Sequence, residues 1–343
     1  MSRWSYYRLL ALAAVLLTLV VIGVGAYVRL SNAGLSCPGW PACYGHLVVP
    51  TGQTAVARID RTHPARPLRP AKAEKEMVHR YLAGTLGLLI LALALLSLRR
   101  TRREAGRPLF LPWLAAVLVV FQALLGMWTV TLLLDPAVVA AHLFGAMAIL
   151  VVLALLVARE GDALGWRGEV TGRWPRRLAL LVLAVLIGQM FLGVWTSTHY
   201  AWVACRGFAA CRGSLWPRGL DFREVWHFWP QIGPDSQGGT WPWGVRAEVY
   251  LLHRYGGIFT FVVILAFVGA LLRASRHRGL RRLASTVAGL TVLQVAIGIA
   301  MAVYGVGLDI ADAHTVVAAL LLTATVLLVY ALWTPPVRAR GAP

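Results

Sequence analysis

Eight stretches of this chain carry almost no charge: Leu9–Val28, Tyr81–Leu98, Leu109–Leu134, Ala137–Ala158, Leu178–Thr198, Val249–Leu272, Leu283–Leu308 and Ile310–Trp333. Each is close to the ~17–25 residues that a helix needs to cross the hydrocarbon core of a bilayer. A segment in lipid has to satisfy its backbone internally, so helices are the reading. The two longest runs are expected to include interfacial turns. The first run is too long for the apolar region of a signal peptide and has no obvious small-residue cleavage site after it, so it counts as a span.

Composition agrees. The chain has 343 residues, 59% hydrophobic and 14% charged, with a formal net charge of +19 and a mean hydropathy of +0.68. A basic excess of that size on a soluble chain would suggest a nucleic-acid partner. Soluble proteins, however, average about 25% charged residues, and disorder requires low hydrophobicity. An integral membrane protein is left, and its charge has to be explained by topology. With the N-terminus inside, the short inner segments hold most of the positive excess. They include Arg3 and Arg8, the cluster Arg99, Arg100, Arg102, Arg103 and Arg107, the group Arg159–Arg177, the group Arg273–Arg282, and Arg338 and Arg340. Most outer positives lie in two long loops, where charge steers topology weakly. Both termini are expected on the cytoplasmic face, with the basic loops against anionic membrane lipid and no nucleic-acid partner.

The two halves of the chain echo each other. His79-Arg80-Tyr81 recurs as His253-Arg254-Tyr255, Ala141-His142 as Ala313-His314, Gln122 and Gly126 as Gln294 and Gly298, and Cys37 and Cys43 as Cys205 and Cys211, about 170 residues apart in every case. Each half has four spans, so both halves enter the membrane from the same side, as parallel repeats. The expected fold is an all-α integral membrane protein, with eight transmembrane helices arranged as two pseudo-symmetric four-helix bundles.

Nine histidines are present. His46, His63, His199, His227 and His277 fall in loops and read as solvated. His79, His142, His253 and His314 fall one to each even-numbered span, within about a turn of its outer end, where ionisable groups are costly and usually functional. Two imidazoles facing each other across each bundle would ligate a porphyrin iron axially. Zinc is the rival, but it prefers four convergent ligands and each half offers two; interhelical hydrogen bonding is the structural alternative. Arg80 and Arg254 suit either snorkelling to the outer interface or contact with heme propionates. Gln122 and Gln294 read as interhelical hydrogen-bonding residues, with heme-edge contact as the alternative.

One residue breaks the repeat. Glu76 precedes His79 by three residues, on the same helix face, whereas the second half has Tyr250 there and Glu248 out of register. Glu76 suits proton movement or stabilisation of developing positive charge beside a bound ring; it equally suits the positive end of a helix. Its presence in one half suggests one substrate pocket and one cofactor pocket. The four cysteines form two Cys-x5-Cys pairs on the outer side, where disulfides are favoured. The spacing differs from a Cys-x-x-Cys redox motif, and structural bridges are the default over an electron-passing role.

These residues together resemble a family. Arg29-Leu30-Ser31-Asn32-Ala33-Gly34-Leu35-Ser36-Cys37, with Trp40-Pro41 and Cys43, resembles the first outer loop of the heme A synthases, and Glu76-x-x-His79-Arg80 resembles their second-helix motif. The single histidines of the fourth, sixth and eighth spans complete the likeness over nearly the whole chain. The resemblance implies a bacterial plasma-membrane enzyme that oxidises the C8 methyl of heme O to the formyl group of heme A, by successive hydroxylation and loss of water, for cytochrome oxidase assembly. It implies that residues 161–343 hold a heme b cofactor, its iron between His253 and His314. Residues 1–160 would present His79 and His142 to substrate heme O, with Glu76 as the catalytic carboxylate. It further implies bridges Cys37–Cys43 and Cys205–Cys211, pockets opening toward the outer leaflet, a heme O synthase as pathway partner and an electron donor that the sequence does not name. A homo-oligomer is compatible with all of this. Two other classes bind heme through the same histidines: a heme carrier or exporter, and a b-type cytochrome that oxidises quinol. Glu76 in one half only favours the enzyme.

Overall fold

In a computed structural model the chain is described at residues 6–98, 109–160, 173–205, 207, 210–220, 223–226 and 241–333. Eight of its helices are long and apolar enough to span a membrane. They are α1 (Tyr6–Leu30), α3 (Pro70–Leu98), α4 (Phe110–Thr131), α5 (Pro136–Glu160), α6 (Arg173–Thr198), α7 (Trp243–Ala274), α8 (Arg278–Tyr304) and α9 (Leu308–Trp333); a shorter helix, α2 (Gln53–Thr62), lies in the first long loop. No strand occurs among the described residues, only the isolated bridges Cys43–His46 and Cys211–Ser214. The all-helical, multi-pass membrane fold expected from the apolar runs is therefore present. The arginines at 99–107, with Arg3, Arg167, Arg338 and Arg340, lie outside the described residues, as does His227.

The apolar runs place the spans but not their ends. α3 begins at Pro70 and α7 at Trp243, well before the runs that begin at Tyr81 and Val249. Proline is tolerated at the first helical position, since the missing N–H has no intrahelical partner there. His79 and His253 are thus held well inside continuous helices. α5 opens the same way: Asp135 Oδ1 accepts from the backbone N–H of Ala137 at 2.9 Å and of Val138 at 3.2 Å, an N-cap followed by Pro136. α8 stops at Tyr304 and turns at Gly305, whose φ of +95° disfavours a side chain.

Helices α1, α3, α4 and α5 close one ring of contacts (α1·α3, α3·α4, α4·α5, α1·α5), and α6, α7, α8 and α9 close another in the same order. The seam between them is made by α1·α9, α5·α9 and α5·α6. Exchanging α1 with α6, α3 with α7, α4 with α8 and α5 with α9 maps this whole set onto itself, which fits the parallel repeat. Leu86, Ile90, Ile149 and Leu153 pack in the core of the first ring. Ile22 and Met147 join Ile264, Leu271 and Leu328 in a core that continues across the seam. Leu95, Leu181, Phe259 and Val262 are exposed, as expected where the surroundings are lipid.

The loops that carry the cysteines lie at one end of the bundle. Cys37–Cys43 and Cys205–Cys211 are both disulfide-bonded. Each loop is tied to its bundle by a matching tyrosine: Tyr81 Oη donates to the carbonyl of Leu47, and Tyr255 Oη to that of Leu215 at 2.5 Å. His46 and His63 are exposed, as expected of loop residues. His199 is not. It is 1% exposed, its ring stacks on Trp241 with centroids 3.6 Å apart, and Nδ1 lies 3.0 Å from the carbonyl of Trp195. The solvated reading of His199 fails because an imidazole flanked by tryptophans is packed as an aromatic ring.

Burial pushes the His199 pKa down to about 4, reinforced by Arg246 and opposed by the Trp195 carbonyl. The unfolded chain takes up a proton near pH 6.5 and the folded one only near pH 4. Stability is therefore full above about pH 6.5 and falls as pH drops toward 4, by at most ~3 kcal/mol. Tryptophan-monitored melting in detergent is expected to show the wild type losing more apparent Tm between pH 7.5 and 5 than His199→Phe, which keeps the stack and cannot titrate. Parallel curves would refute this.

Candidate functional site

Glu76 and Arg80 lie one turn apart on α3 and form an ion pair at 2.5 Å. A carboxylate at this depth is tolerated only when its charge is compensated. Glu76 is 4% exposed, and its second oxygen accepts the Cys37 N–H at 3.0 Å. The remaining terminal nitrogen of Arg80 donates to the carbonyls of Gly39 (2.8 Å), Pro41 (3.0 Å) and Ala42 (3.2 Å). The disulfide loop thus grips both members of the pair. In the second half, where Tyr250 replaces the carboxylate, Arg254 lies over the Tyr250 ring at 4.0 Å and donates to the Cys205 carbonyl at 3.3 Å. All four sulfurs are buried, which denies direct access to an exchanging thiol and suits structural bridges.

Below these loops a single cavity of about 1290 Å³ runs through both rings, larger than the ~300–1,000 Å³ of an ordinary small-molecule pocket. It is lined mostly by aliphatic and aromatic side chains. Its polar lining includes His79, His142, His253 and His314, the glutamines Gln122, Gln189 and Gln294, and the arginines Arg29, Arg80 and Arg254; Glu76 is the one carboxylate among the described lining residues. All four membrane histidines and Glu76 therefore face one space, where the sequence suggests one pocket for His79, His142 and Glu76 and another for His253 and His314.

Each imidazole is seated against a glycine of the neighbouring helix. A Cβ on Gly25 of α1 would lie 2.7 Å from Cε1 of His79, and one on Gly193 of α6 would lie 2.8 Å from Cε1 of His253. Gly126 and Gly298 stand at 3.2 and 3.3 Å from His142 and His314 in the same sense. Small residues allow two backbones to approach closely enough for a side chain to be held edge-on between them. Gly126 and Gly298 are recognisable as a repeated pair in the sequence. Gly25 and Gly193 were missed, although they recur at the spacing of the cysteines.

Glutamine fixes one histidine in each half. Gln122 donates to the His142 carbonyl at 2.5 Å, the interhelical role expected of it. Gln189 lies 2.9 Å from His253 Nδ1 and donates to the His253 carbonyl at 2.8 Å. Gln294 pairs with Gln122 in the sequence, yet no donation like that of Gln122 ties it to His314; the Oε1 atoms of Gln122, Gln189 and Gln294 are all buried without a partner. Gln189 escaped notice because its counterpart in α1 is Val21, so no repeat marks it.

These features bear on what the site can hold. Nδ1 of His79, His142 and His314 is buried without a hydrogen-bond partner, so the protein leaves polar needs unmet on rings that line a cavity. No group of three or more His, Cys, Asp and Glu side chains converges as a metal site among the described residues, which removes the zinc alternative there. Two histidines per ring, a large apolar chamber and arginines at one end fit a flat amphiphile with a ligatable metal and carboxylate tails, which is the chemistry of a heme.

Comparison with known proteins agrees. The family described as "Cytochrome oxidase assembly protein", COX15-CtaA, matches residues 8–326. The heme A synthase of Shewanella oneidensis is 38% identical over 316 residues, covering 92% of this chain and 93% of that protein. The heme A synthases of Sphingopyxis alaskensis and Caulobacter vibrioides are 29% identical (95% and 90% covered) and 28% identical (94% and 94% covered).

An alanine methyl at Gly193 or Gly25 cannot be added without moving an imidazole, and overpacking of this kind typically costs ~1–3 kcal/mol. Gly193→Ala is expected to disturb the visible spectrum of heme bound by the second half. Gly25→Ala is expected to leave that spectrum intact while impairing binding in the first half. Absorption spectra of the two purified variants separate the effects; identical spectra and heme contents would refute the seating.

Proposed function

This chain belongs to the COX15-CtaA family of cytochrome oxidase assembly proteins, and from that premise we propose that it is a heme A synthase, oxidising the C8 methyl of heme O to the formyl group of heme A. One observation carries the reading beyond heme binding: the only carboxylate among the described lining residues, Glu76, belongs to one half and stands a turn from that half's histidine. A carrier, or a cytochrome passing electrons, gains nothing from a carboxylate in one pocket alone.

The first half, residues 1–160, is the substrate side in this reading. His79 and His142 orient heme O from opposite walls, and the apolar lining keeps bulk water from the reacting substituent. Loss of water from a doubly hydroxylated carbon takes a proton from one hydroxyl and delivers one to the other. Glu76 is placed to relay that proton through a carboxylate oxygen, while Arg80 and the Cys37 N–H hold the group in position. The second half, residues 161–343, is the cofactor side in this reading, where His253 and His314 would hold the heme iron. Heme b bound there supplies one-electron chemistry. Gln189 holds His253 by donating to its backbone carbonyl, which fixes the helix turn that carries the ring. Arg80 and Arg254 stand at the disulfide end, where propionates would approach water. With the termini cytoplasmic, that end faces the outer leaflet. Heme O would come from a heme O synthase, and electrons from a separate donor.

The test is expression in a host that makes heme O, followed by chromatography of extracted hemes. Glu76→Ala and Glu76→Gln are expected to lower heme A by about 100-fold or more, the usual scale of an acid–base group, with heme O or a hydroxylated derivative accumulating. His253→Ala is expected to lose the resident heme spectrum, and His142→Ala to keep it while losing product. Unchanged heme A in both Glu76 variants would favour a carrier and remove the catalytic assignment.

A further inference from the structure

Of the arginines that line the cavity, Arg80 is neutralised by Glu76 and Arg254 is placed over Tyr250 and below the Cys205 carbonyl. Arg29 differs from both. It stands in the last turn of α1, and its guanidinium crosses the seam to the carbonyl of Ser197 at 3.3 Å and to the Ser197 hydroxyl. No carboxylate among the described residues pairs with it; its bonds go to Ser197. Its partners are neutral and, in the case of the hydroxyl, easily exchanged.

The position follows from the repeat. Ser197 is separated from Arg29 by 168 residues, and so is Tyr200 from Asn32, to which it donates at 3.4 Å. That is the spacing of the cysteine pairs, so both bonds join a residue to its own counterpart, where the two halves meet. Arg29 is four residues beyond Gly25, one helical turn along the same face of α1, and Gly25 is the seat of His79. The guanidinium therefore stands one turn toward the disulfide end from the first-half imidazole. The second half offers a neutral serine at the matching place.

We propose that Arg29 is a carboxylate receptor for the tetrapyrrole of the first-half pocket, taking one propionate in a forked, charge-assisted contact in place of its bonds to Ser197. This rests on the heme reading given above and adds to it the recognition of the substrate's acidic edge. Capping the last turn of α6 is the purely structural alternative, and it predicts no preference among ligands.

The experiment compares iron protoporphyrin IX with its dimethyl ester, in which both carboxylates are replaced by neutral methyl esters. Both are titrated by difference absorption into the protein as purified, with its resident heme, in uncharged detergent. Wild type is expected to bind the free acid about tenfold or more tightly than the ester, the lower end for a hydrogen bond to a charged group. Arg29→Gln is expected to bring the ratio close to one, with the resident heme spectrum unchanged. Arg29→Lys keeps charge but loses the fork, and is expected to fall between; it carries the test if Arg29→Gln does not accumulate. A wild-type acid preference retained in full by the variants overturns the assignment to Arg29, as does a wild type that binds acid and ester alike. A wild type that keeps its resident heme and binds neither probe overturns the first-half pocket as a tetrapyrrole site, and this inference with it.

Discussion

A histidine ring held inside a lipid-embedded bundle needs both room and a wall, and the glycine–histidine contacts supply both. Where Gly25 faces His79 and Gly193 faces His253, even a methyl group would collide with the ring. The helices α1 and α3, and likewise α6 and α7, can close on each other only because that position is bare. The rest of the architecture depends on this. The imidazoles are pinned at the walls instead of filling the centre, so the middle of the molecule stays open as one cavity. Aliphatic side chains close the bundle beyond it, and the polar groups gather toward the disulfide end.

The scaffold obeys the repeat and the chemistry departs from it. Helix contacts, disulfides, isolated bridges and tyrosine ties all come in matched pairs. The mismatches are Glu76 against Tyr250, Arg29 against Ser197, and Gln189 against Val21, and every one of these residues lines the cavity. A duplicated shell with unlike contents is what two different tasks in one chamber require. The acidic and basic additions fall to the first half, and the extra histidine clasp to the second.

Much of this was legible from apolar runs and duplication. Eight spans follow from length alone, and four histidines stand out because each occurs in a matching register. The start of α3 was not visible, because its first turns are charged and look like loop until packing makes them helix. The same holds for α2, a short helix with only Ile59 buried. His199 misled because a histidine in a tryptophan-rich loop reads as solvated; nothing local says that Trp241 will stack on it. Gln189 and Arg29 carry no repeat signature, and glycines have no side chain to announce a contact.

The carboxylate shows what the loops are for. An unpaired Glu76 beside an apolar chamber would be expelled or neutralised. Arg80 alone would leave a buried ion pair, which gains little unless its remaining hydrogen-bonding atoms are also satisfied. The Cys37–Cys43 loop satisfies them with one N–H to Glu76 and three carbonyls to Arg80. A flexible loop would have to be ordered for this at considerable entropic cost, and the disulfide reduces that cost in advance. In the second half the Cys205 carbonyl accepts from Arg254, which also lies over the ring of Tyr250. The N–H and three carbonyls of the first loop are what a buried ion pair requires, so that clamp answers to the carboxylate.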